Sequence, residues 1–553
     1  MLDIIQNINS LKESDDKFAF DRWLWNNTET RDLLNKKWGK NTSYIHHFLT
    51  AVPPNNVWYC YLGSIGRALA TRGFSQSRQP EFKRFPTGYN ALAMFVVDQE
   101  FEERQIAKLT EYQKLKKEQD NYKKYVRYKI PLAARIAEKG IAFDTLGRGR
   151  EYTKEDGFGV IISDLIAGTS KEGTPLSFLS RCDDVINSGP VKRTPKIVRE
   201  IVGAIKYHFK ENINVWKDEG DKVWRDKHQM ERRSRMVPGY IEKWTRTGAN
   251  KHGENVDQRL NVITDRIAKK KNLPDATLNM LKATEVYFQR VIDEYSLLFN
   301  SSASLKDLVK RLTGLRPFTG QFASMMEPKH FKASYVHGDL NGNNLTWAAH
   351  YKQFVMIDFE SVELGVVGLD QLKLFASMIC ETIPTARRRL GRKTNSVTDN
   401  QHHAMIGLVR LVPWLISDVI QAGDQGDCKD NLKNHLRIVS DNKEYLSEIA
   451  IEIIRTVEFD NLRLQSEDAQ RFWIWTVRNL FFRQFEYAYR NLDESHVGAL
   501  KTVSSVIEGM DTEKPDEITG GTVANVMKDI HENNVIMLFY AFLALLATLE
   551  CEE

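Results

Sequence analysis

Between Tyr335 and Glu360 (YVHGDLNGNNLTWAAHYKQFVMIDFE) the chain gathers polar side chains whose types and spacing suit metal and proton chemistry. His337-Gly338-Asp339-Leu340 puts a carboxylate on a tight turn, Asn344 follows that Asp by five positions, and the apolar run Val355-Met356-Ile357 leads to a second carboxylate, Asp358. In-line transfer of a γ-phosphoryl group needs one carboxylate to orient the incoming hydroxyl, and hard oxygen ligands to hold Mg²⁺ against the phosphates. Asp339 suits the first task. Asn344 and Asp358 suit the second, because an amide oxygen and one carboxylate leave a partly hydrated Mg²⁺ room for phosphate oxygens. ATP and Mg²⁺ are the cofactors such residues call for. Either half alone reads equally as an Asx-turn or a buried strand ending in Asp; the ordered pair is what points to a nucleotide.

HGDLNGNN followed by IDFE resembles the catalytic and metal-binding motifs of the aminoglycoside phosphotransferase and choline kinase group, which belongs to the protein-kinase-like superfamily. Within it, the Asn-Gly after HGDL and the long helical tail are most similar to the phosphotransferase-like ternary complex associated domains of bacterial conflict systems. There is no HRD triplet, and Glu360 stands where a DFG motif has Gly, unlike an ordinary eukaryotic-type protein kinase. The resemblance runs unevenly from Glu81 to Cys380. It implies an α+β, two-lobed protein-kinase-like fold: a helical N-terminal cap over residues 1–80, a kinase-like N-lobe over 81–168, and an enlarged helical C-lobe over 169–553. The C-lobe would hold the catalytic loop at 335–360 and an inserted helical region at about 185–334.

The elements that must position this chemistry precede it. Phe82 to Phe85 and Leu92 to Val97 read as strands around a small-residue turn, Pro86 to Ala91. In the family resembled, that turn covers the nucleotide phosphates, with Gly88 letting backbone N–H groups approach the oxygens; as a lone turn it is a plain hairpin. Arg104 to Leu109 reads as a strand carrying Lys108, followed by a charged helical stretch, Gln113 to Arg127. Kinase-like folds set a strand Lys against the phosphates and pair it with a helix Glu, which makes Lys108 the phosphate-binding candidate and Glu118 its partner. The bland alternative for both is solvated surface charge. Gly159 to Gly168 reads as a strand leading into a hinge, where the resemblance puts adenine against backbone groups near Asp164 and Ile166. Asp370, in GLDQL, is expected to cap a helix and brace the catalytic loop.

Composition bounds the rest. A chain of 553 residues with net charge +5 is ordinary for a globular protein of two to four domains, and so mild a charge does not demand nucleic acid or membrane. Five scattered cysteines without a CxxC predict free thiols in a reducing compartment, the cytoplasm. Val535 to Leu549 is as apolar as a membrane span but short of the roughly 17–25 residues one needs, so a buried C-terminal helix is expected rather than a tail anchor. Phe472 to Tyr489 reads as a core helix. The segment Ile205 to Lys251 holds 12 Lys/Arg against 7 Asp/Glu with interleaved aromatics; it reads as a solvated lid with its aromatics packed inward, with polyanion or nucleic-acid binding as the alternative. HExxH, Walker A and GxSxG motifs do not occur.

The expected function is ATP- and Mg²⁺-dependent phosphotransfer to a hydroxyl of a small molecule or protein. Two alternatives stand beside it. One is a nucleotide-binding scaffold or regulatory module with a protein partner in a bacterial defence or signalling assembly; the other is a nucleotidyl transferase on the same fold.

Overall fold

A computed structural model describes residues 81–85, 93–98, 105–136, 142–144, 158–164, 176–187, 194–225, 291–293, 295–299, 332–390, 398–424, 428–459, 467–490 and 533–550. The expected cap at 1–80, Gly88, Ile166 and residues 226–290 of the inserted region lie outside them. The chain divides into two compact units. The first comprises Met1–Leu176, Thr346–Tyr351 and Val355–Val362; the second comprises Ser177–Leu345, Lys352–Phe354 and Glu363–Glu553.

The first unit is built on an antiparallel sheet of β1 (Glu81–Phe85), β2 (Ala93–Asp98), β3 (Gln105–Glu111), β4 (Ala142–Asp144) and β5 (Phe158–Asp164), in the order β1-β2-β3-β5-β4. β3 is central, paired with β2 from Ala93↔Leu109 to Val97↔Gln105 and with β5 from Gln105↔Asp164 to Glu111↔Phe158. It runs two residues beyond the expected end at Leu109, because the β5 ladder continues through Thr110 and Glu111. Helix α1 (Tyr112–Asn121) follows without a break and continues into a wider turn, Tyr122–Val126. Its buried residues Leu115, Glu118 and Tyr122 recur at helical spacing and form one stripe. A small core joins Ala134, Ala348 and Val355, with Leu132 and Ile357 packed against it.

The second unit is mostly helical. It holds α2 (Phe178–Asn187), α3 (Thr194–Tyr207), α4 (Asn214–Arg225), β6 (Ala333–Val336), β9 (Glu363–Val366), α5 (Leu369–Leu390), α6 (Asp399–Trp414), α7 (Cys428–Asp441), α8 (Tyr445–Arg455), α9 (Glu467–Arg490) and α10 (Asn533–Ala547). Between β6 and β9 lies the hairpin of β7 (Leu345–Ala348) and β8 (Gln353–Met356), through which the chain passes between the units. β6 and β9 pair antiparallel from Ala333↔Val366 to Val336↔Glu363. Every residue of α10 from Val535 to Ala547 is buried, and the helix packs on α9, α5 and α6. The apolar C-terminal run is thus a core helix here. Asn400–Ile420 is long and apolar enough to cross a membrane, yet α6 packs on α8 and α10. Trp216, in the described part of the basic aromatic segment, is wholly buried.

Candidate functional site

In the first unit the chemistry gathers around Lys108. It sits opposite Met94 of β2 and Ile161 of β5, and shares a sheet face with buried Ile106 two residues away. A lysine there cannot reach bulk water and must find counter-charges. Its Nζ lies 2.9 Å from Glu118 Oε2 and 2.8 Å from Asp358 Oδ1. Glu118 occupies the buried stripe of α1, where a helix pattern would put an apolar residue. Asp358 stands at the end of the Val355 strand in left-handed backbone, φ 66°. Its turn is held from α1, since Asn121 Nδ2 donates to the carbonyls of Phe359 and Glu360 at 3.0 and 2.9 Å, and the Phe359 ring lies 5.7 Å from Tyr122.

Three charges share that space. Burial opposes the Lys108 ammonium, but Asp358 and Glu118 outweigh it and hold its pKa above the usual lysine range. Burial pushes Glu118 up to about 7, against the pull of Lys108 and with Asp358 adding to the rise. Neighbouring Glu360 is also raised, by burial and then by Asp358. The cluster carries more carboxylate than cation.

In the second unit the HGD loop follows β6. Gly338 adopts φ 72°, a left-handed conformation that glycine takes without steric cost. Asp370 accepts the His337 and Gly338 backbone N–H groups at 2.6 and 3.1 Å. Its position follows from Gly368, whose φ of 102° turns the chain from β9 into α5. His337, fully buried, accepts the Asp339 N–H on Nδ1 at 3.3 Å. Asn341 Oδ1 accepts the N–H groups of Asn343 and Asn344, an Asx arrangement that closes the turn.

One face of α5 pins this loop. Asp370, Lys373, Ser377 and Glu381 recur at helical spacing, all buried. Ser377 Oγ accepts the Gly342 N–H at 3.0 Å, Glu381 Oε2 accepts from Asn343 Nδ2 at 3.4 Å, and Lys373 Nζ donates to the Gly338 carbonyl at 3.3 Å and to Asp339 Oδ1. Burial would raise the Asp339 carboxyl, but Lys373, aided by Arg483 and His337, holds it below the usual carboxylate range. Lys373 itself is pushed down by burial, against Asp339. Asp370 is pushed up by burial, because His337 and the two backbone N–H groups only partly offset it.

The residues singled out in the sequence therefore fall into two sets. Lys108, Glu118 and Asp358 come together in the first unit, and Asp339 and Asn344 share one loop in the second. Asp164 is the last residue of β5, opposite Gln105. Lys373 was not legible as a partner of Asp339; its one signal is that it lies three positions after Asp370 on the same helix. In the second unit Asn344 Nδ2 donates to the Asp339 carbonyl at 2.7 Å, and in the first Asp358 Oδ1 accepts from Lys108.

No protein-family model matches the chain, and no curated protein matches it. Among solved structures it is similar to an amicoumacin kinase in complex with AMP-PNP, Ca²⁺ and Ami, at 12% identity and a TM-score of 0.30, over 81% of this chain and 87% of that one. It is likewise similar to an ethanolamine kinase of Plasmodium vivax, at 13% identity and a TM-score of 0.29, over 90% and 93% of the two chains. A third is a choline kinase of Cryptosporidium parvum, at 12% identity and a TM-score of 0.26, over 86% and 90%.

Proposed function

We propose that the chain is an ATP- and Mg²⁺-dependent phosphotransferase acting on a hydroxyl. The observation that carries this is the buried Lys108 ammonium held between Glu118 and Asp358. A cation fixed on a central strand by a helix carboxylate is a phosphate anchor, and the second carboxylate is freed for a metal when phosphate oxygens replace it on Nζ. Asn344 Oδ1 and Asp358 would hold Mg²⁺, which when bound neutralises phosphate charge. Asp339 would orient the acceptor hydroxyl with the carboxylate oxygen that Lys373 leaves open, and the Lys373 bond keeps that carboxylate ionised and in one rotamer. Adenine would lie at the end of β5 near Asp164.

The test is incubation with ATP labelled at either the γ- or the α-phosphate, followed by mass analysis of protein and small molecules. Transfer of the γ-label supports the proposal. Transfer of the α-label makes the chain a nucleotidyl transferase. Mg²⁺-dependent ATP binding without transfer of either label makes it a nucleotide-binding module of a larger assembly.

A further inference from the structure

α1 and the turn after it hold the Asp358 turn through Asn121 and Tyr122, and Lys114 and Lys117 act on the Glu360 carboxyl; the other cations of their outer face have no part in the chemistry above. Between residues 112 and 136 stand eight cations, Lys114, Lys116, Lys117, Lys123, Lys124, Arg127, Lys129 and Arg135, against two acids, Glu118 and Asp120. That local excess of six (8 minus 2) exceeds the net +5 of the whole chain. Glu118 is turned inward on Lys108, which leaves Asp120 as the exposed acid of the segment. Lys116, Lys117, Lys123, Lys124 and Arg135 are exposed.

Aromatic rings stand among these cations. Tyr128 is 90% exposed, whereas most large apolar rings of the described residues are buried. Its backbone is left-handed, φ 64°, a conformation rare for a bulky residue. The turn is fixed on either side of it by Arg127 N–H to Tyr122 O at 2.7 Å and Lys129 N–H to Val126 O at 3.0 Å. The Arg127 guanidinium lies 4.5 Å from the Tyr128 ring centroid, and Lys124 Nζ lies 4.8 Å from that of Tyr125. A ring held out in water by an ordered turn, with cations at its side, is a stacking platform beside a phosphate track.

We infer that this face binds single-stranded nucleic acid, with Tyr128 stacking on a base and Lys123, Lys124 and Arg127 meeting phosphates. Single strands fit because an exposed ring can stack only on a base that is not already stacked in a duplex. An anionic membrane fits less well. The apolar residues of this segment, Leu115, Tyr122, Val126 and Ile130, are buried within the unit, so no apolar face is left to enter a bilayer.

The experiment is fluorescence anisotropy of a labelled oligothymidylate of about 20 nucleotides with the full chain, without ATP or Mg²⁺, over a salt series. Binding should weaken linearly in log–log form as salt rises, by a slope of about −0.7 for each phosphate neutralised. Lys123→Gln with Lys124→Gln should make that slope less negative by about 1.4. Tyr128→Ala should weaken binding on the order of tenfold, and Tyr128→Phe, which keeps the ring, should bind like the wild type. These side chains lie on the surface, so circular dichroism melts of all the variants should match the wild type. Absence of binding at low salt overturns the inference, as does binding that these variants leave unchanged. So does sedimentation with phosphatidylserine vesicles by a chain that ignores the oligonucleotide, or a duplex that binds as tightly as the single strand.

Discussion

The Lys108 cluster and the Asp339 loop handle buried carboxylates in opposite ways. Around Lys108 one ammonium serves two carboxylates, and the helix acid Glu118 is pushed up by burial despite its ion pair. Around Asp339 the ratio is reversed: Lys373 and Arg483 face one carboxylate, which stays below its usual range although burial opposes it. Asp370, on the helix that pins the same loop, is raised by burial, which His337 and the two backbone N–H groups only partly offset. Whether a buried carboxylate stays ionised depends on how the nearby cations balance the loss of water. The first cluster sets one ammonium between two carboxylates. The second is arranged to keep one carboxylate charged and aimed.

Variants that exchange these arrangements test the contrast, and the largest effect is expected in the loop. Asp339→Asn should lose about 10²- to 10⁴-fold in turnover while ATP affinity measured by calorimetry stays near that of the wild type. Full turnover by the purified variant would remove Asp339 from the chemistry.

The Lys108 cluster should respond in stability as well. Lys108→Met leaves Glu118 and Asp358 facing each other without their cation, and breaking a buried pair in this way costs about 3–5 kcal/mol. Urea unfolding that shows no change in midpoint would mean that the pair is not held in solution.

A smaller effect is expected at Lys373. Its loss removes a charge-assisted bond worth about 1.5–3 kcal/mol, which is roughly tenfold to a hundredfold if it is spent on aiming Asp339. Lys373→Met should therefore lower kcat with little change in KM for ATP, and Lys373→Arg should recover part of it. Equal losses in both variants, matched by a fall in thermal stability, would make the residue a fold element only.

A further effect is in pH dependence. A carboxyl whose pKa is raised in the folded state, as Glu118 is to about 7, binds a proton that the unfolded chain releases. Its contribution to stability is fully present below an unfolded value of about 4.5, and is lost as pH rises through about 7. Across that window the stability of Glu118→Gln should fall less steeply than that of the wild type. Parallel curves would assign the proton to another group.

What can be read from the residues alone is local. Lys108 and Glu118 are ten residues apart on a strand and the helix that continues it, so period-two and period-3.6 geometry bring them to one buried face. Asp339 and Asn344 share a turn closed by Asn341, and the short apolar run of α10 separated a core helix from a membrane span by length. The extent of β3 and the wider turn after α1 were not legible, because each depends on a partner strand or a distant side chain. Tertiary structure alone decided that Lys373 meets Asp339 across 34 positions and that Asp358 takes Lys108 across 250. Many lysines in the chain have the right chemistry. Which one reaches a buried carboxylate depends on the face that α5 turns to the loop and on where β3 brings Lys108 to Asp358, and those are set by packing within each unit.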